Sequence, residues 1–216
     1  MMQSLFNRLL ARVVLRSSLL LAILVLAACG PSTVVLNGSY PAPLSRKLPI
    51  TVGIYYPPEL RNHTYTEIDD NTGKDEFIVQ SGAAQLQLFN TLLPAMFRNT
   101  VMLDSLDAAR SQSGIDAVLI PTVAEFQMGL PQKTKLKVFE IWLKYNIKLT
   151  KPNGDQIADW VMTAYGKAPD ENLQSVNDGL QSASNVAMRD LAASFTLGFA
   201  NVPDVKEWLR ANNLDK

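Results

Sequence analysis

The chain carries one cysteine and one histidine, and where these two stand decides which chemistry is within reach. Cys29 ends the apolar run Leu19 to Ala28 (LLLAILVLAA) and is followed by Gly30. It has no second cysteine for a disulfide or a CxxC pair, so the chemistry open to it is modification at sulfur. His63 lies between Asn62 and Thr64 in a polar stretch and reads as a surface imidazole rather than a catalytic acid–base. A single imidazole cannot build a His-based metal cluster, and GxSxG, HExxH and P-loop motifs are missing from the sequence. Asp69-Asp70 with Asp75 and Glu76 group carboxylates, but Gly73 follows Asp69 too early for a calcium loop, so a solvated acidic loop is expected. These residues point to no enzyme, no metal and no cofactor. The aromatic excess, Tyr55, Tyr56, Trp142 and Trp160, offers contact surface instead.

Basic and acidic residues balance at twenty each. Arg8, Arg12 and Arg16 fall in the first 28 residues, which hold no Asp or Glu; setting those three aside leaves an acidic excess of three. No basic footprint for nucleic acid remains. The three arginines followed by a short apolar run have the make-up of a signal peptide, and the run is short for a membrane span. Its end, Leu26-Ala27-Ala28-Cys29-Gly30, resembles the lipobox of bacterial lipoproteins. That resemblance implies removal of residues 1–28 and a covalent diacylglycerol and N-acyl lipid (palmitate-type chains) on Cys29. Gly30, in place of the aspartate that retains such proteins at the inner membrane, implies a periplasm-facing position on the outer membrane. The alternative is an uncleaved transmembrane anchor with an incidental cysteine.

Residues 29–48 hold three prolines and no sustained period, and read as a lipidated tether. Fully extended, it would reach about 60 Å at ~3.3 Å per residue. The competing reading has Val34-Val35-Leu36 docked on the domain as a short strand. Residues 49–216 are expected to form a single domain. Ile50, Val52, Ile54 and Tyr56 alternate as a first strand, stopped by Pro57-Pro58. Residues 59–80 form a polar stretch with two short strands, Thr64 to Ile68 and Glu76 to Val79. Ser81 precedes a helix with the stripe Leu86, Phe89, Leu93, Met96 and Phe97, which Pro94 should kink or shorten. Val118, Ile120, Thr122, Ala124, Phe126 and Met128 share one face of a further strand, in which Pro121 argues for an edge or a bulge.

The clearest strand follows: Phe139, Ile141, Leu143, Tyr145, Ile147 and Leu149 alternate with Glu140, Trp142, Lys144, Asn146 and Lys148. Pro152-Asn153-Gly154-Asp155 supplies turn chemistry for a hairpin returning over residues 157–165. From Leu180 a long helix shows the stripe Ser184, Met188, Leu191, Phe195 and Phe199, and Pro203 opens a last short one. The expected fold is α/β (α+β): a single mixed sheet with a long antiparallel hairpin, one face covered by two principal helices. The order of Ile50 to Tyr56, Ser81 to Phe97, Gly114 to Glu125 and Phe139 to Gly154 resembles the TolB N-terminal domain and the CsgG and PelC lipoproteins.

That resemblance implies a non-catalytic accessory or scaffold of an envelope assembly, and transfers no residue roles. Trp142, with Lys144 beside it on the polar face, is the candidate contact for an envelope protein or a second copy; the bland alternative is that a helix or the tether covers Trp142. A membrane-tethered binder of a small or lipidic ligand is the second functional expectation.

Overall fold

The computed structural model describes residues 31–68, 72–134, 136–172 and 175–214; Cys29, the segment before it, Asp69 and Asp70 lie outside these. The elements in order are β1 (Ser32–Val35), β2 (Leu48–Tyr55), α1 (Pro58–Arg61), β3 (Thr64–Ile68), β4 (Asp75–Gln80), α2 (Gly82–Met96), β5 (Phe97–Leu103), α3 (Leu106–Ser111), β6 (Ala117–Gly129), α4 (Pro131–Thr134), β7 (Val138–Thr150), β8 (Gln156–Pro169), α5 (Val176–Gly198) and α6 (Pro203–Ala211). The α+β class holds. The expected single sheet is instead two: a mixed five-stranded sheet ordered β5-β2-β6-β7-β8, and a three-stranded sheet ordered β1-β4-β3.

The β7–β8 hairpin dominates the larger sheet. Phe139, Ile141, Leu143, Tyr145, Ile147 and Leu149 are buried, as strict alternation requires when one face meets helices. The turn closes with Gly154 at φ 98° and an Asn153 side chain bonded to Asp155. β8 runs on to Pro169, beyond the Tyr165 expected as its end.

Helices α2 and α5 cover the apolar face. Ser184, Met188, Leu191, Phe195 and Phe199 are all buried, and Phe89, Tyr145 and Phe195 meet edge to face. The approach of α5 to β8 is so close that a Cβ at Gly166 would come 2.1 Å from the Ala183 carbonyl oxygen, so only glycine fits there. α5 begins at Val176, earlier than expected, because Ser175 caps it by accepting from the Asp178 amide. α2 stops two residues after Pro94 and passes into β5 without a loop.

The expected common face of the strand near Pro121 is broken. The β6–β7 register shifts between Val123 and Glu125, and such a bulge moves side chains to the opposite face. Leu119 and Pro121 are therefore buried before it and Phe126 after it, while Ala124 is exposed. Val118 joins Leu103, Ala109 and Ile115 in a small second cluster under α3, and Ile120 packs against it. Pro121 stands where β6 has run past its pairing with β2, which ends at Leu119, so its missing N–H breaks no bond to β2.

The proline-containing lead is docked. β1 pairs in parallel with β4, the Leu36 amide donates to the Gln80 carbonyl at 2.9 Å, and Val34, Leu36 and Tyr40 are buried. Two further bonds tie the lead to α5: the Asn37 amide donates to Gln181 Oε1 at 2.8 Å and Gln181 Nε2 donates to the Asn37 carbonyl. A free tether over residues 31–40 is thus replaced by the docked strand. Three apolar side chains that would otherwise face water gain a place in the core, and this outweighs the chain entropy the tether would keep.

Candidate functional site

The open face of the large sheet presents the candidate surface. α3 covers only the part of this face over the Leu103 cluster. On the rest, Trp142 is 41% exposed and lies opposite Tyr165, 44% exposed, across the β7–β8 ladder. Among the described residues, the neighbours of Trp142 leave it partly exposed. Tyr165 donates a short hydrogen bond to Glu140 Oε1, which raises the Tyr165 pKa. A groove of about 390 Å³ is lined by Trp142, Tyr165, Glu140, Gln127, Met128 and Thr134. Beside it Lys144 Nζ meets Glu125 Oε1 at 2.7 Å in an exposed pair, a contact expected to contribute at most ~1 kcal/mol. Two amphipathic rings over a half-polar groove can grip a partner surface while their polar ends stay hydrated.

The other aromatics expected to be available are used inside. Trp160 packs on Phe195 and Phe199. Tyr56 is buried with its hydroxyl 2.9 Å from Asn90, and its pKa is raised by burial. Tyr55 lies under the Arg61 guanidinium, 5.9 Å from the ring centre.

His63 is not a plain surface imidazole. Its ring packs against Phe126, and its Nδ1 lies 2.7 Å from Ser81 Oγ. Ser81 accepts from Gln85 Nε2 at 2.8 Å, and fully buried Tyr145 donates to Gln85 Oε1 at 2.9 Å. This chain of bonds is what permits Gln85 and Ser81 to be wholly buried at the start of α2. Burial lowers the His63 pKa and pushes the Tyr145 hydroxyl well up. The His–Ser contact looks like a nucleophile and its base, but Ser81 Oγ has no route to a substrate because the residue is fully buried.

Of the carboxylates, Glu67 and Glu76 converge on Lys133 of α4 at 3.0 and 2.8 Å. Hydrogen bonds, first to Glu76 and then to Glu67, raise the Lys133 pKa and keep it charged. Among the described residues no group of three or more His, Cys, Asp or Glu is placed to hold a metal. A second groove of about 390 Å³, almost wholly apolar, runs between Tyr40–Pro43 and the Ala192–Leu197 stretch of α5, with Arg189 at its side. Tyr40 folds back over Gly38, where a Cβ would strike the ring. Burial pushes its pKa up to about 12.

Trp142 and Lys144 were legible from alternation. Tyr165 and Glu140 were missed, although a hairpin centred on Asn153-Gly154 sets Trp142 opposite Tyr165. The buried relay also left a trace: Ser81 and Gln85 stand one helical turn apart, in line with Leu88, Phe89 and Leu92.

No protein-family model and no curated protein matches the chain. Among solved structures it is similar to a DUF330-family protein from Xanthomonas campestris, with 9% identity and TM-score 0.49 over 76% of this chain and 92% of that one. It is similar to the PelC dodecamer subunit from Paraburkholderia phytofirmans, with 19% identity and TM-score 0.40 over 70% and 89%. A minor lipoprotein from Acinetobacter baumannii gives 14% identity and TM-score 0.39 over 70% and 92%. At these identities and scores none of the three assigns a function to this chain.

Proposed function

We propose that this chain is a lipoprotein, acylated on Cys29 and held on the periplasmic side of the outer membrane, where it acts as a non-catalytic accessory of an envelope assembly. Secretion, polysaccharide export and peptidoglycan synthesis are the assemblies in view. The observation that carries the reading is the sequence itself: a basic start, an apolar run, and Leu26-Ala27-Ala28-Cys29 at its end. Two acyl chains or more, each contributing ~0.8 kcal/mol per buried methylene, suffice for stable attachment. No helix among the described residues is long and apolar enough to cross a membrane. The uncovered Trp142–Tyr165 face supports a protein partner.

The test is Cys29→Ser. The wild-type N-terminal peptide from the membrane fraction is expected to begin at an acylated Cys29, and the variant to remain an uncleaved precursor or to become soluble. Wild-type protein whose Cys29 carries no acyl mass and still follows the leader would end the reading. The apolar groove beneath Pro41–Pro43 favours a second reading, a tethered binder of a lipidic ligand. Native mass spectrometry of the protein lacking residues 1–29 decides it: a retained lipid mass supports the ligand reading, and its loss on Ala193→Trp would place the ligand in this groove.

A further inference from the structure

We infer that the membrane lies against the end of the domain formed by the β3–β4 hairpin and α4, and that the domain stands there without a free tether. This rests on acylation of Cys29 as proposed above. Its own support is strand direction. β1 runs parallel to β4, with Ser32 beside Phe77 and Val35 beside Gln80. The chain therefore enters β1 at the end where β4 begins at Asp75 and β3 ends at Ile68. Two residues separate Cys29 from Ser32, a span of at most about 10 Å. Beyond Val35 the lead gives no slack, since Leu36 and Tyr40 are buried and Asn37 is bonded to Gln181.

The surface at this end suits a headgroup layer. Ile68 is 52% and Leu136 53% exposed, and Lys74 and Lys137 are exposed near them in the chain. Lys133 bonds the Ile68 carbonyl at 3.4 Å and pairs with Glu67 and Glu76, which ties α4 to the β3–β4 pair. β7 starts four residues after α4 ends and carries the chain away through 13 residues, roughly 40 Å at about 3.3 Å each. The turn at residues 151–155 is thus the far end. Trp142, four residues into β7, stays close to the bilayer, so a partner gripping it is itself a membrane protein or one held at the membrane surface.

Because Cys29 is the only cysteine, a thiol introduced elsewhere can be labelled uniquely once Cys29 is acylated. Full-length protein is produced with single changes Lys74→Cys, Leu136→Cys, Asn153→Cys or Glu207→Cys, labelled with an environment-sensitive dye and reconstituted in vesicles containing headgroup-quencher lipid. Emission is expected to be strongly lost at positions 74 and 136 and retained at 153 and 207. Equal loss at all four sites, or loss at 153 and 207 alone, overturns the orientation if mass spectrometry of the same samples shows acylated Cys29. Samples without acyl mass that fail to bind vesicles overturn the lipidation reading, and the orientation with it.

Discussion

Leu143 and Lys144 are neighbours in sequence and opposites in environment. Leu143 is fully buried between the sheet and the helices, whereas Lys144 reaches water and Glu125. Leu143→Asp places an unpaired charge in the core and should cost about 3–5 kcal/mol, a large part of the stability of a domain this size. Lys144→Asp loses only an exposed ion pair and should shift the melting temperature slightly. Equal shifts in a thermal melt would show that the faces are misassigned. His63 gives a second residue-level test. Burial keeps its folded pKa below the ordinary 6.5, so between those two values the unfolded chain binds a proton that the fold excludes. Stability is complete above about pH 6.5 and is lost as the pH falls toward the folded value. His63→Gln should retain a partner for Ser81 and flatten the loss of melting temperature between about pH 8 and pH 5. A variant whose pH profile overlays that of the wild type would show that His63 is not the group responsible.

At the level of elements, alternation and turn chemistry revealed what tertiary context does not overrule. The β7 faces and the β7–β8 turn could be read directly, because one face meets helices and the other meets water along nearly the whole strand. β6 could not, since the bulge at Ala124 follows from its pairing with β7 and leaves no mark in composition. The second sheet was hidden for a similar reason. β3 and β4 were visible as short strands, but nothing local tells them to pair with a segment some forty residues earlier rather than with β2. The lead carried the clue in Val34-Val35-Leu36, outweighed by its prolines. Its docking predicts an asymmetry within one short strand. Val34 is buried and Val35 is 46% exposed. Val34→Asp should lower the melting temperature and speed hydrogen exchange at the Leu36 amide, while Val35→Asp should do neither. Identical behaviour of the two variants would mean that the lead does not dock through this strand.

On the scale of the whole molecule, the arrangement separates support from display. Helices α2 and α5 and the His63–Ser81–Gln85–Tyr145 bonds back one side of the large sheet, and the Trp142–Tyr165 face on the other side stays partly open to water. Trp142 is 41% exposed, so Trp142→Ala should leave the domain folded and lower the melting temperature far less than Leu143→Asp does. If this face meets a partner, the same change should cost affinity instead, because large aromatic anchors carry most of an interface's binding energy. A photoreactive residue at position 142 in cells is expected to crosslink to a discrete envelope protein or to a second copy of the chain, and the same residue at position 207, on α6, is not. Only lipid or small-molecule adducts at position 142, or equal adducts at both positions, would remove the sheet face as a partner surface and leave the apolar groove beside α5 as the site to pursue.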